Sequence, residues 1–188
     1  MLRASGFKYG LSIALLWASN AGATSVPSLS FEELTDHSEL IVTGQVVRAW
    51  PDWDSEHKFI WTHYELSISS AQKGSPGATV VVSEPGGVVG IQGMAVAGAV
   101  AYQPGERVLV FLQRMPNGYL RTTGWNQGKF TVDNAERLHG ETSLGAPEVV
   151  GTPNGAVAAT PLRTLEGMTV TELGSRVAAR VKLQGRAQ

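Results

Sequence analysis

The chain has 188 residues, with 15 Lys and Arg against 16 Asp and Glu and a formal net charge of −1. Because the charges are spread without long runs of either sign, the sequence excludes a basic nucleic-acid-binding surface and a polybasic membrane patch. The absence of cysteine excludes disulfides, a thiol nucleophile, cysteine-ligated zinc and lipid attachment through an N-terminal cysteine.

Residues 1–23 have the order of a secretory signal peptide. Arg3 and Lys8 precede an apolar segment at 11–17, and small residues follow up to Ala23. The apolar segment is too short to remain in a bilayer as an anchor. We expect cleavage after Ala23 and a secreted or periplasmic protein of about 165 residues, enough for one domain with its own core. An amphipathic N-terminal helix is the alternative interpretation.

The first elements of the mature chain are a short helix and a strand. Ser30 and Glu33 have the spacing of a capping box, which predicts a helix from Phe31 to about His37. Residues 40–47 are rich in β-branched side chains and interrupted by Gly44, which predicts a strand with a bulge at that glycine.

A loop and a second strand follow. The proline and acidic residues at 50–56 predict a loop. Residues 59–69 alternate as in a half-buried strand, with Ile60, Thr62, Tyr64, Leu66 and Ile68 on the expected core face.

A glycine-rich stretch occupies the middle of the chain. Residues 73–77 predict a turn and residues 79–83 a third strand. Three glycines within 88–102 would each cost a helix roughly 1 kcal/mol, and the segment is shorter than a membrane span. We therefore expect two short extended segments there, with bends or close backbone approach at the glycines.

The rest of the chain is predicted to contain further strands, then a linker and a final helix. Strands are expected at 107–112, 119–123 and 129–132, with Asn117-Gly118 closing a hairpin. Residues 140–161 have the composition of a linker. Thr169 and Glu172 form a second capping box, and Leu173, Val177 and Val181 share one face of the helix that follows. This helix could dock on its own domain or on a partner.

These elements predict a mainly β protein with a short N-terminal helix and a C-terminal helix. The strands fit a small antiparallel barrel or sandwich of about five to seven strands, and the OB-like barrel is the architecture we expect. The expected organisation is a signal peptide at 1–23, the barrel domain at 24–135, an irregular linker-like segment at 136–168, and the C-terminal helix and tail at 169–188.

The segments at 40–47, 72–74, 85–87, 104–112 and 128–130 resemble an uncharacterised exported bacterial OB-like domain. That domain is similar in outline to the N-terminal domain of tissue inhibitors of metalloproteinases, and it precedes a matrixin-type protease domain in some chains. The resemblance covers residues 31–132 and implies an accessory or binding domain. Those inhibitors cap the protease zinc with an N-terminal cysteine, which this chain lacks, and the His-Glu-x-x-His protease motif is absent too.

Several kinds of catalytic or metal site have weak sequence support. The glycine series has no following helix to complete a phosphate-binding loop. His57 and His63 would lie about 20 Å apart on a straight strand, too far to share a metal. Asp52, Asp54 and Glu56 offer only three acids for calcium, and Ser143 near His139 lacks a nucleophile-elbow motif. We therefore predict no metal, no cofactor and no catalytic residues.

The strongest functional feature is aromatic. Trp50, Trp53, Phe59 and Trp61 lie around the first loop and second strand, on the part of an OB-like barrel that commonly binds ligands. Their flat rings suit a peptide or a sugar, although they could also cover the end of the barrel as ordinary core. We expect a non-enzymatic binding module for a protein or peptide partner. The alternatives are a carbohydrate-binding envelope protein and a hydrolase whose acids, such as Asp52, Asp54 or Glu65, assemble only in the fold.

Overall fold

The computed structural model of the protein describes residues 28–140 and 164–186. The predicted signal peptide, Ser143 and nearly all of the predicted linker at 140–161 lie outside these ranges. Within them the protein is mainly β, as predicted, with a multistranded sheet and two helices.

The elements follow one another in a simple order. Helix α1 precedes the strands, and helix α2 follows them. The bounds are α1 Phe31–His37, β1 Leu40–Trp53, β2 Ile60–Lys73, β3 Thr79–Pro85, β4 Gly87–Val89, β5 Gln92–Met94, β6 Arg107–Arg114, β7 Leu120–Thr122, a 3-10 turn Trp125–Gly128, β8 Lys129–Val132, β9 Leu138–Gly140 and α2 Val170–Gln184.

Seven strands form one sheet in the order β1-β2-β3-β7-β6-β8-β9, and β6 also pairs with β1. The pairings are antiparallel except β3 with β7, where Val82 is opposite Leu120. Strands β4 and β5 form a separate antiparallel hairpin. The chain of pairings from β1 through β2, β3, β7 and β6 therefore returns to β1.

Both predicted capping boxes are confirmed. In α1 the Ser30 hydroxyl accepts from Glu33 N while the Glu33 carboxylate accepts from Ser30 N. Thr169 and Glu172 make the same reciprocal pair at the start of α2. Each box satisfies backbone donors that the first turn of a helix leaves unpaired.

Strand β1 is longer than predicted. A register shift next to Gly44 confirms the expected bulge. The prediction of a loop at 50–56 is wrong for residues 50–53. Strand β1 continues to Trp53, and Pro51 pairs with Thr62 on β2. Strand β6 covers β1 only as far as Gln45, so the far end of β1 is an edge, where a proline is tolerated.

The glycine-rich stretch contains the two extended segments that the sequence predicts, β4 and β5. The hairpin lies against the inner side of β1 and β2. A Cβ at Gly87 would come within 2.6 Å of Thr62 Oγ1 and 3.1 Å of Ile60 Cγ2. Glycine at 87 is therefore required for this close approach.

Two apolar clusters hold the structure together. One lies among strands β1, β2, β3, β6 and β7 and includes Val42, Leu66, Val82 and Val110. The second joins the other side of the sheet to the helices and includes Leu34, Phe111 and Leu173. Helix α2 thus docks on its own domain through Leu173 and Val177, whereas Val181, predicted for the same face, is 38% exposed.

The sequence did not predict the β-structure at the start of segment 136–168. Strand β9 pairs with β8 there, and Leu165, beyond the undescribed residues, is buried in the second cluster. Within the described part of the chain, neither helix has the length and apolar character to cross a membrane.

Candidate functional site

The outer face of β1 and β2 presents two of the four predicted aromatic residues. Trp50 is the register partner of His63, and Trp61 is the partner of Asp52. The neighbouring positions Ile60 and Tyr64 are buried. Since side chains alternate along a strand, Trp50, Trp61 and His63 project from the side opposite the core.

Their rings form one connected group with Tyr119. The ring centroids of Trp50 and His63 lie 5.5 Å apart, and those of Trp61 and Tyr119 lie 5.1 Å apart, edge to face. Tyr119 also meets His63 edge to face at 5.5 Å. Tyr119 comes from the turn before β7, and the small residue Ser83 on the intervening β3 faces His63 in register. The small side chain leaves room for the rings to meet across β3.

Arginine side chains extend the group at both ends. The Arg121 guanidinium carbon lies 5.8 Å from the Trp61 ring centroid and 4.8 Å from that of Trp125. Arg48 stacks over Trp50 at 4.4 Å. We call Trp50, Trp61, His63, Tyr119, Arg121 and Trp125 the aromatic stripe; it crosses the strands from β1 to the 3-10 turn after β7.

Carboxylates pair with both arginines. Arg48 Nε donates to Glu65 Oε2 at 2.5 Å. Arg121 lies 3.3 Å from Oε2 of Glu84, whose Oε1 accepts from Thr122 N at 2.7 Å. Burial raises the pKa of Glu84, and its hydrogen bonds with Thr122 and the nearby Arg121 oppose that rise. This buried carboxyl anchors Arg121 between two indole rings.

The histidine of the stripe favours its neutral form. Partial burial lowers the pKa of His63, while Asp52 opposes the shift. His63 Nδ1 and Ser83 Oγ lie 2.7 Å apart in a hydrogen bond. At neutral pH the centre of the stripe is therefore uncharged.

Trp53 and Phe59 do not join the stripe. Trp53 is the register partner of the buried Ile60, so its side chain does not project from the outer face that carries Trp50 and Trp61. Its ring stacks on His57, with ring centroids 6.2 Å apart. Phe59 precedes β2 and is 55% exposed. The structure thus brings together Trp50 and Trp61 and leaves the other two predicted residues near the β1–β2 turn.

The acids proposed for a hydrolase lie apart. The partners of Asp52 and Arg48 on β2 are Trp61 and Glu65, so Asp52 and Glu65 are about 13 Å apart along the strands. Asp54 accepts from Lys58 N within the turn. Across residues 28–140 and 164–186, no group of three His, Asp or Glu side chains could hold a metal ion.

A cavity of about 280 Å³ lies beside the glycine-rich segment, lined by residues that include Tyr64, Glu84, Pro85 and Met94. Thr62 and Tyr64 in this lining belong to the core face of β2, so the cavity lies on the side of the strand opposite Trp61 and His63. Glu84 is the one carboxyl in this lining. A single buried acid provides no paired carboxylates for general acid and base chemistry.

Sequence reasoning missed Tyr119, Arg121 and Trp125. Tyr119 and Arg121 are two positions apart in a predicted strand, which places them on one face. That alternation was the available signal. Their position next to Trp61 depends on the pairing of β3 with β7, which no local pattern indicates.

Comparison with known protein families finds no match for the chain, and no curated protein matches it. The function is therefore inferred from the geometry of the site.

Proposed function

We propose that the protein is a secreted or periplasmic, non-enzymatic binding module that contacts a protein or peptide partner through the aromatic stripe. The observation that carries the proposal is the connected group of four tryptophan and tyrosine rings that His63 and Arg121 join together. Trp, Tyr and Arg are the residues most enriched among those that dominate binding energy at protein interfaces.

The preorganisation of the stripe supports this function. Ring contacts, the His63–Ser83 hydrogen bond and the Glu84–Arg121 pair hold its side chains in place before any partner arrives. Immobilising rotamer-rich side chains on binding costs about 0.5–1.5 kcal/mol each. A surface that is already ordered avoids much of that cost.

The strand pairing supports an OB-like barrel as the scaffold. The return of the pairing chain from β6 to β1, with β3 and β7 parallel, is consistent with a five-stranded barrel of this type. In OB folds the second and third strands and their flanking loops form the ligand-binding face. Trp61 and His63 of the stripe belong to the second strand, which supports a binding role for this part of the scaffold.

The ring geometry favours a peptide over a sugar. The three ring pairs of the stripe have interplanar angles of 34°, 72° and 83°. A sugar ring stacks best on a flat platform, and these mutually inclined rings do not form one.

Affinity capture from the envelope fraction of the producing cell, read by mass spectrometry, tests the proposal. We expect the wild-type protein to retain a specific protein and Trp61→Ala to lose it. Phe59→Ala is the matched control, because it removes an exposed aromatic side chain from the same hairpin outside the stripe. Equal capture by all three proteins, each with an unchanged melting temperature, would refute the role of the stripe.

A further inference from the structure

The outer end of β1 has a free backbone edge. Strand β6 pairs with β1 only from Leu40 to Gln45. Val46 is bonded to the turn before β6, donating to Glu106 O and accepting from Gly105 N. Beyond Val46, β1 has a hydrogen-bonded neighbour on one side only among the described strands, namely β2. A row of unpaired backbone groups at such an edge is a template for the addition of another strand.

Two hydrogen bonds show which backbone groups face this edge. Asp54 N donates to Phe59 O across the β1–β2 turn. Gly86 N donates to Ile60 O from the β3 side, so the backbone of Ile60 points toward β3. The backbone of its register partner Trp53 therefore points away from β2. Because backbone groups alternate along a strand and the register is regular from 48 to 53, the outward positions of β1 are Ala49, Pro51 and Trp53.

Two of these three outward positions have no available donor. Pro51 has no N–H, and Trp53 N is already bonded to Asp52 Oδ1 at 2.8 Å. A register shift just before Arg48 also places a bulge at the start of the free edge, and bulges bend an edge away from a regular neighbour. All three positions offer a carbonyl, but only Ala49 offers a free outward N–H.

The symmetric pairing of two copies shows what these features prevent. When two β1 edges meet antiparallel about Pro51, Ala49 of each copy lies opposite Trp53 of the other and Pro51 lies opposite itself. All of these would be hydrogen-bonded pairs. The paired prolines have no donor, and Asp52 holds the N–H of Trp53. Only the Ala49 donors remain to join the two copies.

We propose that Pro51 and Asp52 prevent the free edge of β1 from pairing with a second copy of the chain. Both residues and Ala49 are exposed, so another chain can approach this edge. The edge is a latent self-association surface whose donors are removed or occupied. This inference goes beyond the proposed function and holds whatever the aromatic stripe binds.

Sedimentation equilibrium of the full chain tests the inference with the double variant Pro51→Ala/Asp52→Ala. Alanine at 51 keeps the Cβ and restores an N–H, and the second change frees Trp53 N. We expect the double variant to self-associate at least about tenfold more tightly than the wild type. Pro51→Val/Asp52→Ala, with a side chain of higher strand propensity, should behave in the same way. Adding Ala49→Pro to the first double variant is the control, because it removes a pairing donor and should restore the wild-type level.

Hydrogen exchange of the backbone amides, followed by NMR, reports where the copies meet. In the double variants the amides at positions 49 and 51 should exchange more slowly as the protein concentration rises. If neither double variant associates more tightly than the wild type, the inference is overturned. Association that persists after Ala49→Pro, or that leaves the exchange at 49 and 51 unchanged, also overturns it, because the copies would then meet through another surface.

Discussion

Trp50 and His63 face each other across β1 and β2 as direct register partners, with ring centroids 5.5 Å apart. Tyr119 contacts the same imidazole edge to face, with ring centroids also 5.5 Å apart. The titratable group of the stripe is thus partly buried among aromatic rings, and the lost hydration disfavours its charged form.

The lowered pKa of His63 has a definite consequence for stability. The folded state binds fewer protons than the unfolded state once the pH falls to about 6.5, the ordinary value of histidine. The contribution of His63 is therefore complete above that pH and is lost as the pH falls from there through the lower folded-state pKa. We expect the melting temperature of the wild type to fall more between pH 7.5 and 5 than that of His63→Gln. Parallel pH profiles of the two proteins would contradict this prediction.

Gly44 permits β1 to bulge against β2. A Cβ at this position would lie 2.5 Å from Ser67 O and 3.2 Å from Ser67 C. Since backbone atoms cannot move aside easily, Gly44→Ala should reduce the free energy of unfolding by about 1–3 kcal/mol. Urea denaturation of the wild type and of Gly44→Ala, followed by circular dichroism, measures this difference in the free energy of unfolding.

Gly93→Ala is the matched control for Gly44→Ala. Its new Cβ would meet Val88 Cγ2 at 3.7 Å, an ordinary contact, so we expect a change within about 0.5 kcal/mol. Equal losses in the two variants would mean that the bulge does not require glycine.

Local sequence signals predicted much of the fold. Ser30 and Thr169 mark the helix starts, because their capping partners lie only three residues away. The alternation around Tyr64 predicted the core face of β2 for the same reason: each of these patterns is contained within one element. Gly118 likewise has φ +84° in the predicted turn, the conformation that glycine accepts most readily.

The predictions were wrong or incomplete where pairing between distant parts of the chain determines the structure. Pro51 and the acids around it indicate a loop, but pairing with β2 extends β1 to Trp53. Half of the aromatic stripe comes from Tyr119, Arg121 and Trp125, which are far from Trp61 in sequence. Their position depends on the order of strands in the sheet, which single-residue propensity does not encode.

Docking of α2 on its own domain also gives a quantitative expectation. Leu173 is fully buried against the sheet and α1, while Leu183 on the same helix is 58% exposed. Leu173→Ala should lower the free energy of unfolding by about 2–5 kcal/mol. Leu183→Ala, the matched control, should change it by less than about 0.5 kcal/mol. Similar small effects in thermal denaturation of both variants would mean that the helix does not pack on the sheet in solution.

His139 differs from His63 because carboxylates flank it on both sides. Its Nε2 lies 3.1 Å from Asp133 Oδ2 and its Nδ1 lies 3.0 Å from Glu166 Oε1. The hydrogen bond with Asp133, and then the one with Glu166, raise its pKa. Glu166 Oε2 also accepts from Gly140 N at 2.8 Å, so the cluster joins β9 to the segment before α2.

The raised pKa of His139 predicts a pH dependence opposite to the one expected for His63. The contribution of His139 to stability is complete below about pH 6.5 and is lost as the pH rises through the folded-state value. A titration followed by NMR should place the midpoint of His139 above that of His63. Glu166→Gln should lower the His139 midpoint, because one carboxylate is removed, and leave the His63 midpoint in place. A His139 midpoint at the ordinary histidine value in the wild type, unchanged by Glu166→Gln, would show that the two carboxylates do not hold the imidazolium in solution.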